Sequence, residues 1–229
     1  MKVDTRNKNT ALESLFIDPA QIVFLDANFF IPPDRGGLGV KAIPFLKFCE
    51  IWLNPIFEEF SNLAIHESVY NELVVSAVKA YADTKQTENP PKLRVYSDAE
   101  LTDIEHSLME TYISRLAEYS QYVPELDNAK DRGEVKSLSF MAVKKFLYFA
   151  ANDTLPMKLI REAGKLQTGL DDMELLEMYD VIYYLYRTGR YPKEGLRLLY
   201  KYEYYLTSRE KRENPNWGDF IQAMDSLYG

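Results

Sequence analysis

The chain has 229 residues, 46% hydrophobic and 14% aromatic, enough for one substantial domain or a domain with a helical appendage. A formal net charge of −8 argues against wholesale electrostatic binding of polyanions, so any contact with nucleic acid needs a local basic surface or bridging cations. The single cysteine, Cys49, excludes an internal disulfide framework, and with His66 and His106 it forms no zinc-type spacing, which disfavours zinc hydrolases and thiol nucleophiles.

Residues 1–19 read as a polar lead-in with a short helix at 10–16, and residues 1–10 lack the apolar core of a signal peptide. The apolar run Ile22 to Ile31, ended by Pro32-Pro33, predicts a strand buried on both faces. Asp26 lies in the middle of that run. A lone carboxylate in a dry interior costs several kcal/mol unless a cation, a strong hydrogen bond or a proton compensates it. Asp26 is therefore expected at the strand's carboxyl end, where open α/β sheets present their ligands.

A Gly- and Pro-rich loop over 32–39 leads to a helix over 43–53. From Leu63 a short strand is predicted to run into a helix reaching about Ala82, with Val69, Leu73 and Ser76-Ala77 as its buried stripe. Glu72 is expected beside that stripe, near the helix start. Residues 83–91 form a polar loop, and Leu93 to Tyr96 a short edge-like strand. Ser97 to Glu100 is a capping box, expected to open a helix to about Tyr122.

The polar loop from Asp127 to Gly133 precedes an apolar helix over 135–145, opened by Glu134, with Leu138, Met141 and Ala142 facing inward. A second apolar strand from Lys145 ends in Asn152-Asp153 and repeats the logic of the first. Helices are predicted near 156–165, 172–188 and 192–207, with Asp171, Asp172 and Glu174 favouring a helix start and Thr168 to Leu170 as the remnant of a last strand. Alternating strands and helices indicate a parallel sheet with helices on both faces. The cluster Arg35 to Gly39 lacks the lysine of a phosphate-binding loop. No stretch has the length and purity of a membrane span, since the run 179–191 is interrupted by Arg187, and a cytoplasmic setting is expected.

Four pieces of this chain, in this order, resemble the PIN domains, a family of metal-dependent nucleases. They are Phe24 to Asn28, Ser68 to Leu73, Gly133-Glu134 before a helix, and Phe149 to Asp153. The stretch 184–195 is similar to the C-terminal helices of a bacterial and archaeal toxin-type subgroup. The resemblance implies a three-layer α/β/α fold with a short, mostly parallel central sheet and a helical C-terminal extension. It divides the chain into the lead-in at 1–19, a nuclease domain at 20–170 and an extension at 171–229 packed on the same domain. It places Asp26, Glu72, Glu134 and Asp153 as catalytic, metal-holding acids, with Asn28 and Asn152 as small polar neighbours. Glu67, Asp127 and Asp131 compete for or supplement those positions.

The implied cofactor is one or two Mg²⁺ or Mn²⁺ ions, hard cations that take oxygen ligands and keep several waters. Such ions neutralise clustered acids, bind a substrate phosphate and lower the pKa of a bound water. The implied activity is endoribonuclease cleavage of RNA. The alternatives are a single-stranded or flap DNA nuclease, or a non-catalytic RNA-binding protein of the same fold. A homodimer and an inhibitory antitoxin-like partner are further expectations of the family; no membrane partner is expected.

Each acid also has a plainer reading. Glu72 and Glu134 fit solvated helix surfaces or the charge preference of a helix N-terminus, and Asp153 fits an N-cap before Leu155-Pro156. Residues 187–212 hold eight basic side chains against three glutamates. In that segment Lys193, Arg197 and Lys201 recur every four residues as one helical stripe. With Tyr191, Tyr200, Tyr202, Tyr204 and Tyr205 interleaved, the stripe is a candidate for binding single-stranded RNA by phosphate pairing and base stacking. The alternative is an ordinary solvated basic face over inward-packed Leu196, Leu199 and tyrosines.

Overall fold

The computed structural model describes residues 2–229. It is an α/β structure of the three-layer α/β/α class, built on five short parallel strands in the order β3-β2-β1-β4-β5. The strands are β1 (Val23–Leu25), β2 (Leu63–His66), β3 (Leu93–Tyr96), β4 (Tyr148–Ala150) and β5 (Glu174–Leu176). The helices up to β4 are α1 (Thr10–Ile17), α2 (Phe45–Phe48), α3 (Asn54–Glu59), α4 (Glu67–Glu72), α5 (Ser76–Thr87), α6 (Asp103–Ala117) and α7 (Arg132–Lys144). After β4 come α8 (Thr154–Arg161), α9 (Ala163–Leu166), α10 (Met178–Thr188), α11 (Lys193–Tyr204), α12 (Glu210–Glu213) and α13 (Trp217–Tyr228). Among the described residues no helix is long and apolar enough to cross a membrane.

Internal contacts group the chain into two compact units that cut across the linear division into lead-in, domain and extension. One unit contains residues 21–30 and 62–175; the other contains 2–20, 31–61 and 176–229. The four acids all lie in the first unit. Its core gathers around Phe24 of β1, whose ring stacks on Tyr96 at 5.2 Å between centroids and lies 4.9 Å from that of Phe146. Leu138, Met141 and Ala142 of α7 are buried, as the helical spacing predicts, and Val135 and Phe140 are buried as well. In the second unit Phe220 of α13 stacks on Tyr200 of α11 at 4.4 Å.

Several elements differ from their sequence expectation. The apolar run at 22–31 makes only three residues of strand; Ala27–Phe29 form a 3-10 turn, and Phe29 and Phe30 are buried as turn residues. The predicted helix over 43–53 extends to Glu59 through a π-helical stretch, Cys49–Leu53. The predicted helix to Ala82 breaks at Leu73 (φ −74°, ψ 67°), so Glu72 ends α4 instead of lying near a helix start. Val74 and Val75, exposed and β-branched, have little to gain from continuing that helix. Beyond the break Val78 and Ala82 are buried, while Ser76 and Ala77 face solvent.

The Ser97 capping box closes a single 3-10 turn, and a second box, Thr102 with Glu105, opens α6. The last strand is Glu174–Leu176, where a helix start was expected. Thr168 to Leu170 instead forms a turn: Gly169 has φ +77° and the Thr168 hydroxyl donates to the Leu159 carbonyl. β3 is an edge strand, as expected.

Candidate metal centre

The sheet order reverses between β1 and β4, the kind of switch point at which open parallel sheets bind ligands beyond their carboxyl ends. Leu25 pairs with Ala150, and the Asp26 N–H donates to the Ala150 carbonyl at 2.9 Å, so both chains leave the sheet side by side. Asp26 follows β1 directly, and Asp153 follows β4 by three residues. Glu134 joins them from the first turn of α7. One carboxylate oxygen from each of Asp26, Glu134 and Asp153 lies within 4.8 Å of the others.

The electrostatics of this trio are unfavourable as they stand. Asp26 is only 2% exposed. Burial pushes its carboxyl well above the ordinary range, and the charges of Glu134, Asp153 and Glu72 push it further, against a hydrogen bond from the Ala27 N–H. Burial also raises Glu134, with Asp131 and Asp153 adding to the rise while its own N–H and Lys130 oppose it. Among the described residues, no lysine, arginine or histidine forms an ion pair with Asp26, Glu72, Glu134 or Asp153. Among the described residues the direct side-chain partner of Asp26 is Asn28, whose Nδ2 donates to Oδ2 at 2.6 Å. The Asn28 Oδ1 is buried with no hydrogen-bond partner. Asn152 is buried immediately before Asp153.

Two plainer readings can be examined directly. Asp153 occupies the N-cap position of α8, yet its side chain makes no capping hydrogen bond and its exposed carboxylate is turned to the trio. Glu134 sits in the first turn of α7, so the helix dipole favours its charge while the trio uses it.

Glu72 stands outside the trio but beside it. Its Oε1 accepts the Gly133 N–H at 3.0 Å. Its carboxyl is raised from 4.5 to about 7, chiefly by burial and then by Glu134 and Asp131, against the Gly133 hydrogen bond and Arg132. The other candidate acids have different partners. Glu67 accepts the Asp98 N–H at 2.8 Å. Asp127 takes the Tyr122 hydroxyl and pairs with Lys136 and Arg132. Asp131 accepts the Gln121 N–H and pairs with Lys130.

Sequence reasoning missed a second close group, His66, Glu67 and Asp98, whose ligand-type atoms also lie within 4.8 Å of one another. The signal was a His-Glu pair at the end of β2 and an acid just past β3, its neighbour in the sheet.

Lys193, Arg197 and Lys201 are exposed on α11, while Leu196, Leu199 and Tyr200 are buried beneath them. Tyr202 and Tyr204 are buried too, which removes three of the five tyrosines expected to stack on bases. The rings of Tyr200 and Tyr204 pack inside the unit against Phe220 and Tyr179, and the Tyr202 hydroxyl donates to the Lys41 carbonyl. Arg187 donates to the Tyr228 carbonyl, Arg190 pairs with Glu59, and Arg209 pairs with Glu213. The basic face is thus narrower than the sequence suggests.

No family model, curated protein or solved structure matches this chain.

The donor set nevertheless fits a hard divalent cation. Every donor is an oxygen, the acids are clustered, and the innermost one is buried without a counter-charge.

Proposed function

We propose that the protein is a Mg²⁺- or Mn²⁺-dependent endoribonuclease of the PIN type. The observation that carries this reading is the trio Asp26, Glu134 and Asp153 at the sheet's switch point, with a buried aspartate that nothing cationic offsets. Asp26, Glu134 and Asp153 would hold the ion, with Glu72 as the adjacent fourth acid.

A bound divalent ion would acidify a water and neutralise charge on the phosphoryl oxygens of the scissile phosphodiester. The protein's own contribution is placement. Asn28 fixes the Asp26 carboxylate through its 2.6 Å hydrogen bond, and the sheet brings Asp153 alongside. Lys130, exposed and electrostatically coupled to Glu134 and Asp153, offers a phosphate contact at the rim. The exposed stripe Lys193, Arg197 and Lys201 would supply sequence-independent attraction for RNA. Hydrolysis by an in-line water would leave a 3′-hydroxyl and a 5′-phosphate.

Thermal unfolding in EDTA, Mg²⁺ and Mn²⁺ tests the centre, because a cation bound only by the folded state raises the melting temperature with concentration. The expected result is stabilisation of the wild type and none of Asp26→Asn. Matched RNA and DNA oligonucleotides then test the substrate. Cleavage of DNA in preference to RNA would move the assignment to a DNA nuclease. Metal binding without cleavage of either would leave a binding protein.

A further inference from the structure

Gly133 is the second residue of α7, a buried position with helical backbone and no positive φ. A glycine there is otherwise a poor choice, because it costs helix stability relative to alanine. The space beside it explains the residue. A Cβ built on Gly133 would lie 2.5 Å from Oε1 of Glu72, 2.7 Å from Oε2 and 2.8 Å from Cδ. The carboxylate of Glu72 occupies the volume that a side chain at 133 would need. The same glycine donates its N–H to Glu72 at 3.0 Å. That N–H belongs to the first turn of a helix, where no intrahelical acceptor exists.

Gly133 is also held from the other side. Its carbonyl lies 3.5 Å from the hydroxyl of Ser68, which stands one helical turn before Glu72 on α4. Ser68 in turn lies 2.7 Å from Nδ1 of the buried His66. Two side chains of α4 thus bracket the backbone of one residue of α7.

We propose that Gly133 is a positioning residue for the acidic centre: its missing side chain and its free N–H seat the Glu72 carboxylate beside Asp26, Glu134 and Asp153. Glu72 is the last residue of a short helix with a long, flexible side chain, so the backbone of α4 alone does not fix where its carboxylate lies. The seat on Gly133 does. For cation binding the inference rests on the metal-centre reading; for the seat itself it does not.

The test is a cycle of Gly133→Ala, Glu72→Ala and the double variant, read in two ways. The first readout is amide hydrogen exchange at residue 133 without metal. Protection in the wild type and its loss in Glu72→Ala support the seat, whereas equal exchange in both overturns it, whatever the protein does with metal. The second readout is the Mn²⁺ dissociation constant. Gly133→Ala pushes away only the mobile end of a side chain, so the fold should survive. Its Mn²⁺ affinity should fall about 10- to 100-fold, the usual cost of losing a partner that orients a ligand. In the Glu72→Ala background the same substitution should change Mn²⁺ affinity no further. Wild-type affinity in Gly133→Ala, or an equal loss in both backgrounds, overturns the proposal. A wild type that takes no Mn²⁺ yet protects amide 133 removes the metal centre and leaves the seat standing.

Discussion

Two groups of three side chains in the same unit each bring ligand-type atoms within 4.8 Å, and they are electrostatic opposites. In the His66 group every member has a partner within the protein. His66 bonds Ser68 through Nδ1 and Asp98 through Nε2, and Glu67 accepts the Asp98 N–H. Asp98 is held below the ordinary carboxylate range: its burial raises it, but the hydrogen bond and charge of His66 outweigh that, helped by Lys136 and His106. This group ties β2 to the segment after β3. Among the described residues the Asp26 group has the Asn28 amide and backbone donors as its partners, and Asp26 and Glu134 are pushed upward. Proximity of ligand atoms does not distinguish a metal site from a structural cluster. The two groups differ in the electrostatic compensation each already has.

The largest expected effect separates the two groups directly. If Asp26 is the innermost ligand of the proposed centre, Asp26→Asn should weaken Mn²⁺ binding by more than about 100-fold, beyond the range for an orienting partner. Its metal-free melting temperature should not fall, since one of several repelling charges is gone. Asp98→Asn should do the reverse. It should cost about 1–3 kcal/mol of stability by disturbing a buried hydrogen-bonded histidine, and leave Mn²⁺ affinity unchanged. Parallel Mn²⁺ titrations and thermal melts check both, and a metal response lost in Asp98→Asn would erase the contrast.

A smaller effect follows from pH. The carboxyl of Glu72 rises from 4.5 to about 7 in the folded state, and Asp26 and Glu134 shift the same way. Between those limits the folded protein binds more protons than the unfolded chain, so stability falls as pH rises. The contribution of Glu72 is complete below about pH 4.5 and lost as pH rises through about 7, and Asp26 and Glu134 act in the same direction. Metal-free melts should therefore show a lower stability contribution from this site at pH 8 than at pH 5. Saturating Mn²⁺ should narrow that loss, and the Glu72→Gln variant should reduce it. A flat profile shared by both proteins would contradict the strained state assigned to this site.

The smallest effect concerns the basic stripe on α11. Replacing Lys193, Arg197 and Lys201 together by alanine should leave the melting temperature nearly unchanged, because all three are exposed. If each meets a phosphate, the slope of log affinity for single-stranded RNA against log salt should shrink by about 0.7 per side chain. An unchanged slope removes the stripe from the RNA path.

Much of this was legible in the chain. An aspartate inside Ile22 to Ile31 already indicated an acid at a strand end, because burial of charge is costly whatever the fold. The recurrence of that pattern before Asp153 indicated a second. Helical spacing placed Leu138 and Met141 inward and Lys193, Arg197 and Lys201 outward, since periodicity decides which face is buried. Only the tertiary structure decided which acids meet. Glu67 and Glu72 are the first and last residues of the same short helix, and local sequence does not decide which of them reaches the trio. The break at Leu73 and the approach of α7 direct one to Asp98 and the other to Gly133. Likewise the sequence left Tyr200, Tyr202 and Tyr204 open to either stacking on bases or packing inward, and the tertiary structure buries all three. Burial of charge and periodic patterning are local consequences of residue type; hydrogen-bond partners and close approaches depend on elements far apart in the chain.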